Sequence, residues 1–400
     1  MSTDLDRLKV LSAGILGLTL MLGIARFSYT PLLPLMQAQA GLGSDQGAWL
    51  ASANYLGYLC GALIAASISD MVLKDRLYRA GVLLAIVTTA GMALAADWWL
   101  WVLMRFLAGL SSAAGLLLGS GLILNWLIRH HHRSELGLHF SGIGLGIFLT
   151  ALLVEGMTAY FDWRGQWLLL SVIGLVLAIP AWRWLPRPHN HGFTIGGEPL
   201  ESRPPSRMFL RLFLVTYFCA GIGYVVSATF IVSIVERQTG LEGEGNLAFM
   251  LVGLAATPAC VLWDRIARRT GELNALVAAC LIQAVGIAIP LVSETLTGAL
   301  ISAGLFGATF VGIVSLVLTM AGHYYPSHPS TMMGKMTFSY GLAQISAPAA
   351  IAVAVGADGS YRDGLWLAAS AMAIATGLMM LLKLIEAGDA RVAYSTARGD

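Results

Sequence analysis

Charge is what this 400-residue chain has least of. Asp, Glu, Lys and Arg together make up 12% of it, about half the share of a soluble domain. From Val10 to Ala25 there is no charged residue at all. A soluble protein of this length folds as two or three domains under charged surfaces, and these charges are too few to cover them. Cysteine is scarce too. Cys60, Cys219, Cys260 and Cys280 all lie in apolar runs, none at metal or redox spacing. They read as small buried hydrophobes, with no disulfide expected. Glu155 is the sole carboxylate well inside an apolar run. No Walker-type phosphate loop occurs, so ATP is not expected to supply the energy, and no cofactor is expected. No convergent His, Asp and Ser set of the kind a lipid-acting enzyme needs is present. Net charge is +2, which gives no reason to expect nucleic acid as a partner.

What is present is apolar sequence. Hydrophobic residues make up 57%, in runs near the ~20 residues that a helix needs to cross a bilayer. Twelve candidate spans follow: roughly 9–37, 47–68, 78–96, 98–126, 136–159, 165–185, 208–235, 246–263, 272–292, 295–321, 332–355 and 362–384. The opening MSTDLDRLKV runs into the first span without a small-residue cleavage site and is read as retained. RWLPRPHNHGFTIGGEPLESRPPSR is the one long polar connection. It divides the chain into a six-helix bundle over 1–185, a cytoplasmic linker over 186–207 and a second bundle over 208–400, with a short tail. Of the 24 Lys and Arg, only Arg164, Arg237 and Arg362 fall in loops of one side, and Arg26 and Arg105 fall inside spans. The remainder put both termini in the cytoplasm. The expected class is an all-α multi-pass protein of a bacterial-type inner membrane, acting as a monomer.

The halves repeat. SDMVLKDRLYR follows the second span and WDRIARR ends the eighth. Asp70 and Asp264, each ahead of basic residues, are 264 − 70 = 194 positions apart. Such duplication suggests a pseudo-symmetric transporter with a central site.

These features resemble the major facilitator superfamily. Its loop motif G-x-x-x-D-[RK]-x-G-[RK]-[RK] is matched at Asp264, Arg265, Arg268 and Arg269, without the glycines. Asp70, Lys74 and Arg76 form a degenerate first copy. RFLAGLSSAAG resembles the fourth-span R-x-x-x-G motif through Arg105 and Gly109. GIARFSYTPLLPLM and MGKMTFSYGLAQISAP look most like the YbfB/YjiJ-type branch. The antiporter motif of span 5 is absent: SGIGLGIF keeps glycines but no proline. The resemblance implies two six-helix bundles, alternating access, and a gating role for Asp70, Asp264, Arg265 and Arg268 at cytoplasmic helix ends.

Arg26 carries the chemical argument. It lies roughly 24 Å along the helix from Val10 in a core about 30 Å thick. An arginine there costs at least about 2.5–3.5 kcal/mol, so it faces a cavity or partner unless it snorkels to the interface. By helix rise, Arg105 and Glu155 fall in the same outer layer. A buried Arg–Glu pair that only fixes packing explains Glu155 and one arginine. A second arginine suggests a substrate anion, which guanidinium holds bidentately. The expected site is Arg26, Arg105, Tyr29, Asn54, Tyr217, Tyr224 and Gln344, with Glu155 as a proton-coupling candidate. Tyr55, Ser227, Thr229 and Gln283 are weaker polar candidates, and each tyrosine taken alone is better explained by packing or interface anchoring than by a site role.

HHHR over 130–133 reads as a loop, since three adjacent histidines cannot face one ion on a helix; no metal is expected. Small-residue runs in spans 4, 5 and 10 suit close or sliding helix contacts. The favoured reading is a secondary transporter of a small organic anion. The alternatives are an efflux pump for apolar or cationic compounds, or a transporter-like receptor or assembly factor without flux.

Overall fold

A computed structural model describes residues 2–94, 97–130, 132, 136–188, 205–324, 329–354 and 362–398. The described residues are helical, with no strand among them. Among the described residues, eleven helices are long and apolar enough to cross a membrane: α1 (Leu5–Ala40), α2 (Asp45–Ser67), α3 (Met71–Leu94), α4 (Trp98–Leu127), α5 (Leu136–Thr158), α6 (Trp163–Arg183), α7 (Arg207–Glu236), α8 (Gly245–Thr270), α9 (Glu272–Val292), α10 (Leu296–Gly322) and α12 (Arg362–Glu386). A further long helix, α11 (Pro329–Ala354), completes the order. The twelve expected spans therefore each correspond to a helix. The core of the expected linker, residues 189–204, lies outside the described residues, as do His131 and Arg133 of HHHR. Within that run, His130 and His132 stack on Trp126.

Packing is ordered by halves. In the first half, α2 packs on α4, α3 on α4 and α6, and α1 on α5 and α6. In the second, α8 packs on α10, α9 on α10 and α12, and α7 on α11 and α12. Each pairing in the first half is matched by one six helices later. The halves meet mainly along α5 with α8 and along α2 with α11. Glycine permits that approach. A Cβ on Gly144 would lie 2.5 Å from the Ala256 carbonyl carbon of α8, well inside van der Waals contact.

Two stretches depart from α geometry: Thr19–Phe27 of α1 and Ala114–Gly119 of α4 are π-helical. Wider turns leave carbonyls without their usual i+4 donor, and nothing in hydrocarbon replaces it. Side chains supply the donors. Ser112 Oγ donates to Met21 O at 3.0 Å, and Ser28 Oγ donates to Ile24 O. Arg105 Nη1 donates to Ala25 O at 3.2 Å and to Arg26 O at 3.3 Å. The Ser28 N–H bonds Gly23 O five residues back, at 3.1 Å. Beyond it the helix carries Pro31 and Pro34, which have no N–H to give, and stops at Gly41 in the left-handed region, φ 69°.

Candidate functional site

Arg26 stands on the π-helical turn of α1 and is only 5% exposed. Its guanidinium carbon lies 4.6 Å from the Tyr58 ring centroid and 4.9 Å from that of Tyr55. No carboxylate among the described residues pairs with it. Rings over the faces of a guanidinium screen it from the low-dielectric interior and leave its in-plane N–H bonds available.

Arg26 lines a small cavity of about 40 Å3. Arg26, Phe27 and Tyr58 meet Tyr217, Tyr224, Phe310, Tyr340, Thr337 and Gln344 across it. The far wall is aromatic: Tyr217 stacks on Tyr340 with centroids 4.5 Å apart, and Tyr224 lies 5.5 Å from both Phe310 and Tyr340. The remaining lining is aliphatic, including Leu22, Leu116, Ile143 and Leu318. By chain direction these last residues lie toward the end of the bundle that carries the termini.

The opposite end is tied across the halves. Tyr55 Oη and Thr229 Oγ1 are 2.7 Å apart, linking α2 to α7. Thr30 Oγ1 donates to Ala228 O at 3.4 Å, linking α1 to α7. Asn246 Nδ2 donates to Ala151 O at 3.0 Å and to Glu155 Oε2 at 2.7 Å, linking α8 to α5.

The expected site residues thus divide. Arg26, Tyr217, Tyr224 and Gln344 line one cavity. Arg105, Tyr29 and Asn54 stand behind it. Arg105 turns its guanidinium onto the backbone of Arg26, not toward its side chain. The Tyr29 ring lies 4.4 Å from the Arg105 guanidinium, and its hydroxyl donates to Gly47 O at 2.9 Å. Asn54 Nδ2 donates to Arg105 O at 2.8 Å. This explains the R-x-x-x-G spacing physically: a Cβ on Gly109 would lie 2.7 Å from Tyr58 N, so glycine lets α4 close on α2 where Asn54 takes hold. Glu155 is exposed at the far end of α5 and beside neither arginine.

Asp264 pairs with Arg268 on its own helix, both partly exposed, and Arg265 is exposed. Asp70 Oδ1 accepts from Val72 N at 2.8 Å at the start of α3. The comparable i,i+4 pair in the first half is Asp75 with Arg79, at 3.0 Å and buried. Arg79 also donates to Trp182 O and Leu185 O, and Arg187 reaches Asp75 at 2.7 Å. DRLYR at 75–79 shares the D-R-x-x-R spacing of 264–268, a second copy overlooked when the repeat is aligned on Asp70. Tyr58 and Tyr340 line the cavity too, although neither was singled out from the sequence. Their one signal was proximity to named candidates, four residues after Asn54 and four before Gln344.

Residues 18–380 match the family model described as "Uncharacterised MFS-type transporter YbfB". The chain belongs to this MFS family. The MFS-type transporter YceJ of Bacillus subtilis (strain 168) is 26% identical over 311 residues, 75% of this chain and 77% of the relative. YcaD of Salmonella arizonae, another MFS-type transporter, is 26% identical over 178 residues, 44% of each chain. Among solved structures, the nucleoside transporter NupG superposes with a TM-score of 0.66 at 10% identity, covering 94% of this chain and 98% of that one. A point mutant of the same transporter gives 0.65 at 11% identity. At that identity the likeness speaks to the MFS fold alone. The protein is accordingly an MFS-type transporter, and its helices are those of a multi-pass membrane protein.

Proposed function

We propose that this MFS transporter moves a small organic anion, a carboxylate with an apolar or aromatic body, by alternating access. The observation that carries the reading is Arg26: a buried cation lining the cavity with no carboxylate paired to it among the described residues. An arginine in a membrane interior faces a partner or a cavity, and a carboxylate completes its planar fork bidentately. Tyr217, Tyr224 and Tyr340 take the body of the solute. Arg105, with Asn54 and Tyr29, acts as a positioning group that fixes the backbone on which Arg26 stands. A cationic cargo would meet repulsion from Arg26, which argues against efflux of cations.

With both termini cytoplasmic, as the basic residues suggest, the tied end faces out; the halves also approach at the inner end, where a Cβ on Gly334 of α11 would lie 2.4 Å from Ala66 Cβ of α2 and one on Gly137 of α5 would lie 3.2 Å from Cys260 O of α8, so the cavity lies between two closed ends. The two bundles then rock about the α5–α8 and α2–α11 contacts. In this reading Glu155 belongs to the outer seal through Asn246. A proton coupled to transport acts at that seal rather than at the bound anion. Asp264 pairs with Arg268 on its own helix near the inner end, where a gating carboxylate would act as the halves part and close.

The test is a thermal-shift panel on purified protein with carboxylates, their neutral amides, sugars and cationic drugs. Stabilisation by carboxylates and not by the matching amides is expected. Stabilisation by amides or cations alone contradicts the anion reading.

A further inference from the structure

Gln344 is the one long amide among the residues lining the cavity. It is 2% exposed, and its Oε1 is buried without a donor. A buried amide oxygen left unpaired costs as much as a lost hydrogen bond. Gln344 sits one helical turn beyond Tyr340 and seven residues beyond Thr337, so all three occupy one face of α11. Arg26 lies in the other half of the chain, on α1. The cavity therefore carries a guanidinium from one half and an amide from the other, among tyrosine and threonine hydroxyls and apolar side chains.

We propose that Gln344 selects, among organic acids held at Arg26, those that carry a hydroxyl on the part of the body remote from the carboxylate. This rests on the anion reading of the same cavity. A hydroxyl both donates and accepts, so it satisfies an amide at either of its ends. A site built to hydrogen-bond a hydroxyl rejects the analogue that lacks it, because the amide is then left buried and unpaired. The same ligand would touch both halves at once: carboxylate to α1, ring to the Tyr217, Tyr224 and Tyr340 wall, and hydroxyl to α11. A solute joined to both halves favours the state in which they are drawn together over it, and one lacking the hydroxyl does so less.

The experiment is isothermal titration of purified full-length protein with matched pairs: benzoate and 4-hydroxybenzoate, phenylacetate and 4-hydroxyphenylacetate, 3-phenylpropanoate and its 4-hydroxyphenyl counterpart. In the wild-type protein the hydroxylated member of at least one pair should bind roughly tenfold tighter. In Gln344→Leu and Gln344→Met that preference should vanish, while the parent acid keeps its affinity within about twofold. Retained binding of the parent acid shows that the variants are folded. Acids that bind through Arg26 with no hydroxyl preference, or a preference that survives both substitutions, overturn the inference and leave the anion reading standing. If no acid binds, or binding is indifferent to Arg26→Ala, the anion reading fails and this inference fails with it.

Discussion

The arginines of this chain do different work, and substitution separates them. Arg26 meets the cavity with its side chain, whereas Arg105 meets the protein backbone. Arg105→Ala removes the guanidinium's hydrogen bonds to the Ala25 and Arg26 carbonyls. The cost is about 1.5–3 kcal/mol per hydrogen bond to a charged group, so melting temperature should fall. Arg105→Lys keeps the charge and still loses stability, because one ammonium does not reproduce the planar fork that spans both carbonyls. Circular-dichroism melts in detergent check both outcomes. Anion affinity should drop less than in Arg26→Ala. Arg26 was legible in the sequence because an interior arginine is too costly to be incidental. The role of Arg105 was not, because no hydropathy pattern reveals that the neighbouring helix widens to a π turn and frees carbonyls. The exposure of Glu155 was not legible either: helix rise gives depth but not azimuth, and its side chain leaves α5 on an exposed face. Tyr58 and Tyr340 were unreadable because a tyrosine in a span looks the same whether it packs or lines a site.

At the scale of the helix, α1 and α5 approach through paired glycines. A Cβ at Gly23 would lie 2.5 Å from Gly146 Cα, and one at Gly146 would lie 2.7 Å from Gly23 Cα. Gly23 falls within the π-helical stretch, three residues before Arg26. Gly23→Ala forces the helices apart, at about 1–3 kcal/mol for overpacking. It should lower both melting temperature and anion affinity, since the displaced turn carries Arg26. Gly121→Ala in α4, where added bulk meets open space, should change neither. The same melts and titrations compare the two, and equal behaviour would contradict the tight α1–α5 contact. Helix existence and bounds were largely legible: the expected 98–126 and 295–321 became Trp98–Leu127 and Leu296–Gly322. Length and hydropathy decide such spans in a bilayer. The continuation of the last helix past Glu386 to Arg398 was not, since polar sequence there ends the hydropathy signal without ending the helix.

For the whole molecule, the account requires one anion site between the halves, reached from one face of the membrane at a time. In a background without native cysteines, Glu242→Cys should be labelled by an impermeant reagent from outside and Thr270→Cys only after permeabilisation; the reverse pattern overturns the orientation. Asp264→Asn should alter turnover in uptake assays and leave Kd nearly unchanged, because Asp264 pairs with Arg268 far along α8 and does not line the cavity. A pure affinity loss would contradict the gating role. The central claim is that the substrate's negative charge is the missing partner of Arg26. The most direct measurement is the Kd of the tightest-binding carboxylate for the wild-type protein, Arg26→Lys and Arg26→Ala, each shown folded by its melt. The account predicts a sharp loss in Arg26→Lys. In Arg26→Ala it predicts a loss of about 2–5 kcal/mol, roughly 30- to several-thousand-fold. An unchanged Kd in folded Arg26→Ala would contradict it.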